Sequence, residues 1–374
     1  MNDWIEYALE DLLSYEQPTP YIVESTEYSD NYQTPVLTAG KSFIIGYTNE
    51  TSGIYDKLPV IIFDDFTTAT QFVNFPFKVK SSAMKILTAN TALVTPKFIY
   101  YRMQLIEFDH STHKRYWIQQ YSKIRVKIPS IPEQERIVAR IEELFSQLDS
   151  GVETLKKTKE QLAVYRQTVL KEAFDNLECE LVSIQSVCSN IVDCPHSTPQ
   201  WVDDGYLCLR TTNFKRGYLD LTERNYVSKE TFVKRNVRLI PQPDDVLYSR
   251  EGAILGIACI IPEDLSVCLG QRMMLLRTNN QMDGRFLMHY LNSPTVTAFV
   301  TSITGGSASP HVNVGDIKNF LIPKPSRSEQ NKKLDEIENK LSVCDSIEKT
   351  VDVALQQAEV MRQSILKKAF EGEI

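Results

Sequence analysis

Pro129-Ser130-Ile131-Pro132-Glu133-Gln134-Glu135-Arg136-Ile137 opens a stretch that returns 196 positions later, at Pro325-Ser326-Arg327-Ser328-Glu329-Gln330-Asn331-Lys332-Lys333. From there Pro129 to Glu178 aligns without gaps on Pro325 to Ile374. The identities include Gln134/Gln330, Ile141/Ile337, Glu142/Glu338, Asp149/Asp345, Arg166/Arg362, Leu170/Leu366 and Phe174/Phe370. A repeat this long and this far apart implies two structural units, each a globular segment followed by a helical one.

The helical segments have a clear period. In the first copy Ile137, Ile141, Leu144, Leu148, Leu155, Leu162, Tyr165 and Val169 recur at spacings of three, four and seven. In the second, Ile337, Cys344, Ile347, Val351, Ala354, Ala358, Met361 and Ile365 do the same. Such a stripe belongs to a helix packed along another helix. Ser130 with Glu133 and Ser326 with Glu329 each form a capping-box pattern. Pro129 and Pro325 discourage earlier helix. A helix of some 42 residues, about 63 Å at about 1.5 Å per residue, with a narrow apolar stripe needs a partner helix. The other copy is the obvious one. The pair is expected to run antiparallel, Ala354 and Ala358 facing the bulkier leucines; packing of each helix on its own globular neighbour is the alternative.

Four segments result: 1–127 globular, 128–178 helical, 179–320 globular and 321–374 helical. The globular segments read as α+β and rich in strand, with β-type runs at 43–47, 60–63, 206–209 and 246–248. Each has a late helix, expected over Pro96–Ile106 and Asp283–Val300, then a polar turn and a strand before the long helix. The helices repeat closely and the globular parts do not, which suits one scaffold presenting two different surfaces.

The bulk numbers exclude more than they assert. At 374 residues, 42% apolar and 24% charged, the chain is of ordinary globular composition. No apolar run reaches the roughly 18 residues of a membrane span. The N-terminus is acidic, without the basic and apolar parts of a signal peptide, so a cytoplasmic location is expected. Net charge is −7, unlike a simple nucleic-acid binder. Its distribution is uneven: residues 1–65 hold two basic and twelve acidic residues, and residues 66–127 hold ten basic and two acidic. That pattern fits either a positive face on an acidic protein or a mixed solvated surface.

No self-contained active site is legible. Gly40-Lys41-Ser42 resembles the end of a phosphate loop, but Pro35 stands where that loop needs glycine. There is no G-x-G-x-x-G, and no Pro-Pro of the kind that holds a flipped base's amino group in amino-methyltransferases. Asp64-Asp65 and Asp244-Asp245 suit turn caps better than a metal site. The seven cysteines form no CxxC pair, so Cys188, Cys194 and His196 read as thiols and an imidazole without zinc. No catalytic residue and no metal ligand is assigned.

Polar, basic and aromatic loops are present instead, at 110–117, 193–199, 209–216, 248–252 and 305–313. Arginine reads guanine, asparagine reads adenine, and Ser, Thr and Lys hold phosphates. Each loop alone could be an ordinary turn; their recurrence in both halves favours recognition.

At this point the chain resembles a specificity subunit of a type I restriction-modification system over nearly all its length. The likeness is carried by Ile128–Ile137 with its helix to Lys171-Glu172-Ala173-Phe174, and by the ending Ile365-Leu366-Lys367-Lys368-Ala369-Phe370-Glu371-Gly372-Glu373-Ile374. Asp193–Pro199 and Tyr248–Gly252 resemble one type of recognition domain, and Pro35–Phe43 with Phe63–Phe66 another. The resemblance implies an α+β fold with two target-recognition domains (1–127 and 179–320). Two long helices separate them, forming an antiparallel coiled-coil pair related by a pseudo-twofold repeat. It implies a non-catalytic chain that reads the two halves of a split double-stranded DNA site. Two modification subunits would bring S-adenosylmethionine, and restriction subunits would use ATP and magnesium; this chain would hold no cofactor. An adaptor in another methylation or defence system is the other reading.

On polarity and this likeness, the DNA-facing candidates in the first domain are Lys41, Lys80, Lys85, His113, Lys114 and Arg115. In the second they are His196, Ser197, Thr198, Arg210, Asn213, Lys215, Arg216, Arg250, Glu251, Arg272, Ser307 and His311. Helix-pair packing is assigned to Ile137, Ile141, Leu144, Leu148, Leu155 and Leu162, and to Ile337, Ile347, Val351, Met361 and Ile365.

Overall fold

The computed structural model describes residues 4–40, 42–110, 115–175, 177–252, 254–305 and 310–374. Two units emerge, Met1–Leu155 with Val353–Ile374, and Lys156–Asp352.

In the first unit β1 (Ile5–Ala8) and a single turn, α1 (Leu9–Leu12), lead to β2 (Leu13–Glu16), β3 (Thr34–Leu37) and β4 (Ile44–Thr48). Strands β5 (Val60–Asp64), β6 (Thr70–Val73), β7 (Lys78–Val79) and β8 (Met84–Ala89) follow. Helix α2 (Pro96–Met103) and β9 (Arg125–Ile128) then precede the long helix α3 (Ile131–Asp175). The main sheet has the order β2-β8-β5-β6, all antiparallel. A smaller sheet, β4-β3-β7, has β3 and β7 parallel, and β1 pairs with β9. Val60 to Phe63 is apolar on both faces because both faces are covered. Ile61 and Phe63 pack towards Phe98, Trp117 and Tyr121. Val60 and Ile62 join Leu37, Tyr55 and Phe77 on the other side.

The second unit repeats the plan. After β10 (Leu181–Ser183), α4 (Ile184–Val187) and β11 (Cys188–Asp193) come β12 (Trp201–Val202), β13 (Tyr206–Leu209), β14 (Phe214–Lys215), β15 (Tyr218–Leu219) and β16 (Tyr226–Val227). Then follow α5 (Lys229–Arg235), β17 (Val246–Ser249), β18 (Ala258–Ile260), β19 (Cys268–Leu269) and β20 (Met273–Thr278). Helices α6 (Gly284–Leu291), α7 (Pro294–Thr304) and α8 (Val314–Lys318) lead through β21 (Leu321–Pro323) to α9 (Arg327–Glu371). The main sheet is β11-β20-β17-β18, β13 and β19 pair in parallel, and β10 pairs with β21. The main sheet, the parallel pair with its antiparallel neighbour (β16 on β13) and the closing pair keep the topology of the first unit on a diverged sequence; β12 and the β14–β15 hairpin are additions.

One expected helix is broken. The late helix of the second unit stops at Leu291 and restarts at Pro294. Pro294 occupies the first turn of the new helix, where it needs no donor, and the Ser293 side chain accepts from Val296 N–H. The buried Asn292 amide bonds both backbone groups of Ala258, donating to its carbonyl (2.8 Å) and accepting from its N–H (3.0 Å).

The two long helices, 45 residues each, run antiparallel within both units. In the first unit Arg362 bonds Asp149 and lies over the Phe145 ring. In the second, Arg166 holds Asp345 at 2.7 Å and Glu348 at 2.8 Å, and Lys159 holds Asp352 at 2.7 Å. Asp149/Asp345 and Arg166/Arg362 are repeat-related, so the two Asp–Arg pairs are one interaction made twice. Ile137, Ile141, Ile337 and Val351 are buried, and Leu144, Leu148, Leu155, Leu162 and Ile365 are half-buried. Ile347 (41% exposed) and Met361 (53% exposed) are not buried in the seam; Met361 lies at its edge, lining a groove with Leu144, Leu148, Leu155 and Ile365. The neighbouring Glu348 and Arg362 make the bridges to the other helix, and Tyr165, beside Arg166, is exposed. The capping box forms at Ser326/Glu329, whereas Glu133 is taken by Arg136.

Each helix is locked to the domain before it by one buried glutamine. Gln134 is fully buried; its amide donates to the carbonyls of Leu93 and Pro129 (2.9 Å each) and accepts from Thr95 N–H at 2.7 Å. Gln330 donates to Gln281 (2.8 Å) and Pro325 (3.0 Å) and accepts from Asp283 N–H at 2.8 Å. Thr95 and Asp283 are the N-cap residues of α2 and α6. At the other end of the helices, Phe370 packs on Phe98 and Phe174 on Phe286. Replacing Gln134 or Gln330 by Ala leaves three backbone groups, one buried and two partly buried, without their partner. Each variant should lose about 1–3 kcal/mol in urea denaturation, against about 0.5 kcal/mol or less for the exposed control Gln147→Ala.

Candidate nucleic-acid interface

The same end of the main sheet gathers the polar loops in both units. There β5 ends opposite the start of β8 (Asp64 against Met84), and β17 ends opposite the start of β20 (Ser249 against Met273). Just past each strand a carbonyl accepts from the late loop, Asp65 from Tyr116 N–H and Arg250 from Val312 N–H, both at 2.9 Å. Positions 116 and 312 keep the repeat spacing, so the repeat reaches into these loops.

In the second unit the centre of this end is the Arg250 guanidinium, whose side chain is 7% exposed. Nε donates to Asp193 Oδ1 at 2.9 Å, and Nη2 lies 3.3 Å from Asp193 Oδ2 and 3.5 Å from His196 Nδ1. Nη1 holds Glu251 Oε1 at 2.8 Å. His196 Nε2 lies 3.1 Å from Asp193 Oδ2. Around this hub stand the exposed residues His196, Ser197, Thr198, Arg272 and His311. Arg272 has φ +67°, a left-handed conformation an arginine rarely adopts. A second buried arginine, Arg235, fixes the 196–198 loop from below. It donates to the carbonyls of Leu269 (2.8 Å), Gly270 (3.1 Å) and Ser197.

The first unit places a different pair there. Lys85 and Asp65, each 1% exposed, meet at 3.1 Å, with Lys85 also donating to Gln17 and Asp65 accepting from Trp117 N–H. His110 touches Thr68 and the Thr67 carbonyl beside them, and Lys80 and Arg115 are exposed. Asp64 caps the turn after β5, accepting from Phe66 and Thr67 N–H.

Several expected contact residues are structural instead. Lys85 is buried with its counter-ion and cannot meet DNA. Asn213 is buried; its amide donates to Asp220 and Glu223 carbonyls and accepts from Arg210 N–H. The Arg250 guanidinium is committed to side chains within the unit. Arg216 reaches the Asn292 carbonyl (3.3 Å) and Thr297 (3.5 Å), away from the loop cluster. Arg210 lies over Trp201, and Lys215 faces Asp220 at 3.8 Å; both are exposed. Lys41, His113, Lys114 and Ser307 lie outside the described residues. Sequence reasoning missed Asp193, Arg235 and Gln271, whose amide donates to the His196 carbonyl. They look like ordinary polar loop residues until the strand ends bring them together.

Burial pushes the Cys188 thiol up to about 12 and raises that of Cys194, so both stay protonated at neutral pH. Among the described residues no group of His, Cys, Asp or Glu could hold a metal ion. No described helix is long and apolar enough to cross a membrane.

The type I restriction modification DNA specificity domain matches residues 200–357. The chain is 30% identical over 381 residues to the EcoR124I/EcoR124II specificity subunit of Escherichia coli, covering 96% of this chain and 93% of that one. Its fold is shared by a chain from a structure of complex assembly and conformational transition of a type I R-M system. There the TM-score is 0.71 at 17% identity, covering 99% and 98% of the two chains. The HsdS subunit of Thermoanaerobacter tengcongensis is also similar, with a TM-score of 0.51 at 18% identity over 99% and 97%. Two recognition folds on repeated helices make a DNA specificity component that has no catalytic centre of its own. The chain belongs to the specificity subunits of type I restriction enzymes. Subunits of this kind act with methyltransferase and restriction subunits on DNA.

Arg250→Ala strands Asp193 and Glu251 without their counter-ion and should cost about 3–5 kcal/mol in thermal or urea unfolding. Arg272→Gly, which removes an exposed side chain from a left-handed backbone, should unfold within about 1 kcal/mol of the parent. Equal losses for the two would refute the division into buried hub and exposed rim.

Proposed function

We propose that residues 1–127 and 179–320 each read one half of a split, asymmetric DNA site, with the helical segments 128–178 and 321–374 fixing the spacer between them. The observation that carries this is a helix face present twice beside two domains whose tips differ. Glu142, Ser146, Asp149, Ser150, Arg362 and Gln363 recur as Glu338, Ser342, Asp345, Ser346, Arg166 and Gln167. In the first unit these residues line a cleft of about 710 Å³ with Tyr100 and Tyr101. A duplicated face fits two copies of one partner, the modification subunit. The loop ends, Lys85–Asp65 in one unit and Arg250–Asp193 in the other, share no chemistry beyond an ion pair, as two different half-sites require.

Each modification subunit would bring S-adenosylmethionine, flip one adenine and methylate its N6. Restriction subunits would add ATP-driven translocation with magnesium. Exposed His196, Thr198, Arg272, Lys80 and Arg115 are the candidates for base and phosphate contact. A chain of net charge −7 binds DNA in this reading because partner subunits contribute further phosphate contacts.

A base-resolution map of N6-methyladenine in the host, with and without the gene, tests the reading. Deletion should erase methylation at one split motif; an unchanged map would refute it. Inserting four residues into α3 should lengthen the spacer in that motif and leave both half-sites as they were.

A further inference from the structure

We propose that Glu251 reads the exocyclic amino group of one base, a cytosine N4 or an adenine N6, with Arg250 as its positioning residue. This rests on the half-site reading for residues 179–320.

Glu251 directly follows Arg250 beyond the end of β17, and its backbone bridges to that of His311. One carboxylate oxygen, Oε1, is held by Arg250 Nη1 at 2.8 Å; the other accepts no hydrogen bond from the described residues, and the side chain is 28% exposed. The holding group is itself pinned, because Arg250 is 7% exposed and spends its other donors on Asp193 and His196. The carboxylate is therefore preorganised, one oxygen anchored and one left to bond.

Charge selects the ligand. The exposed Arg272 guanidinium beside Gly252 is left for phosphate, while the Glu251 carboxylate, ion-paired to Arg250, offers only acceptor oxygens. What it accepts is a donor. In the major groove the base-edge donors are the amino groups of cytosine and adenine. Among the described residues the first unit has no such feature: Asp65 occupies the position of Arg250, and the exposed residue after it is Phe66. The acceptor thus belongs to one half-site only.

The test uses the assembled modification complex carrying Glu251→Gln, with Glu251→Asp, which keeps the charge but shortens the reach, as the second variant. Methylation motifs are mapped and binding is measured to duplexes varied one base at a time. Both variants should lose about tenfold to a hundredfold of discrimination at one C or A position in the second-unit half-site. The other half-site and the spacer should be unchanged. The relaxed base says whether cytosine or adenine is read. Uniform weakening across all duplexes, or an unaltered motif, overturns the proposal while leaving the half-site reading intact. A parent complex with no split motif overturns that reading first, and this proposal with it.

Discussion

A helix of 45 residues can transmit position only if its start is rigidly joined to what it carries. Gln134 and Gln330 make that joint. Each is fully buried in the first turn of its helix and satisfies three backbone groups, one of them the N–H of the residue that caps α2 or α6. A buried amide with every bond made is worth more than its area, because any slip of the helix leaves polar groups dry and unpaired. Lys97–Glu142 and Arg285–Glu338 repeat the same joint at the surface, where charge pairs contribute little.

From that joint outward the two units are free to differ. The strand order and the carbonyl that accepts from the late loop are common to both. What differs is the buried pair under the loop ends. A Lys85–Asp65 pair holds a neutral, closed base with an aromatic residue beyond it. The Arg250 hub holds three polar groups at once and leaves an acceptor at the rim. Removing one partner of either pair isolates a charge in the interior, so these positions constrain the fold more than their polarity suggests.

Reading the sequence alone misjudged these residues for one reason. Lys85, Asn213 and Arg250 look like surface donors, and polarity does not reveal burial. Asp65 stands twenty residues from Lys85, and Asp193 is 57 residues from Arg250. The period of the stripe does not reveal depth: Ile347 and Met361 stay partly exposed, Met361 at the edge of a groove with Leu144 and Leu148, beside the bridges of Glu348 and Arg362. Gln134 and Gln330 carried a usable signal, a polar residue retained in both copies at the start of an amphipathic helix.

By itself the sequence determined the two-unit organisation, the long helices and the family, because repeat and period are written along the chain and survive without a partner; the antiparallel pairing of the helices was decided by the Arg–Asp bridges of the structure. Tertiary structure decided which polar side chains are buttresses and which remain exposed. That choice depends on strand ends far apart in the chain meeting at one edge of a sheet, where burial converts a charge into a scaffold.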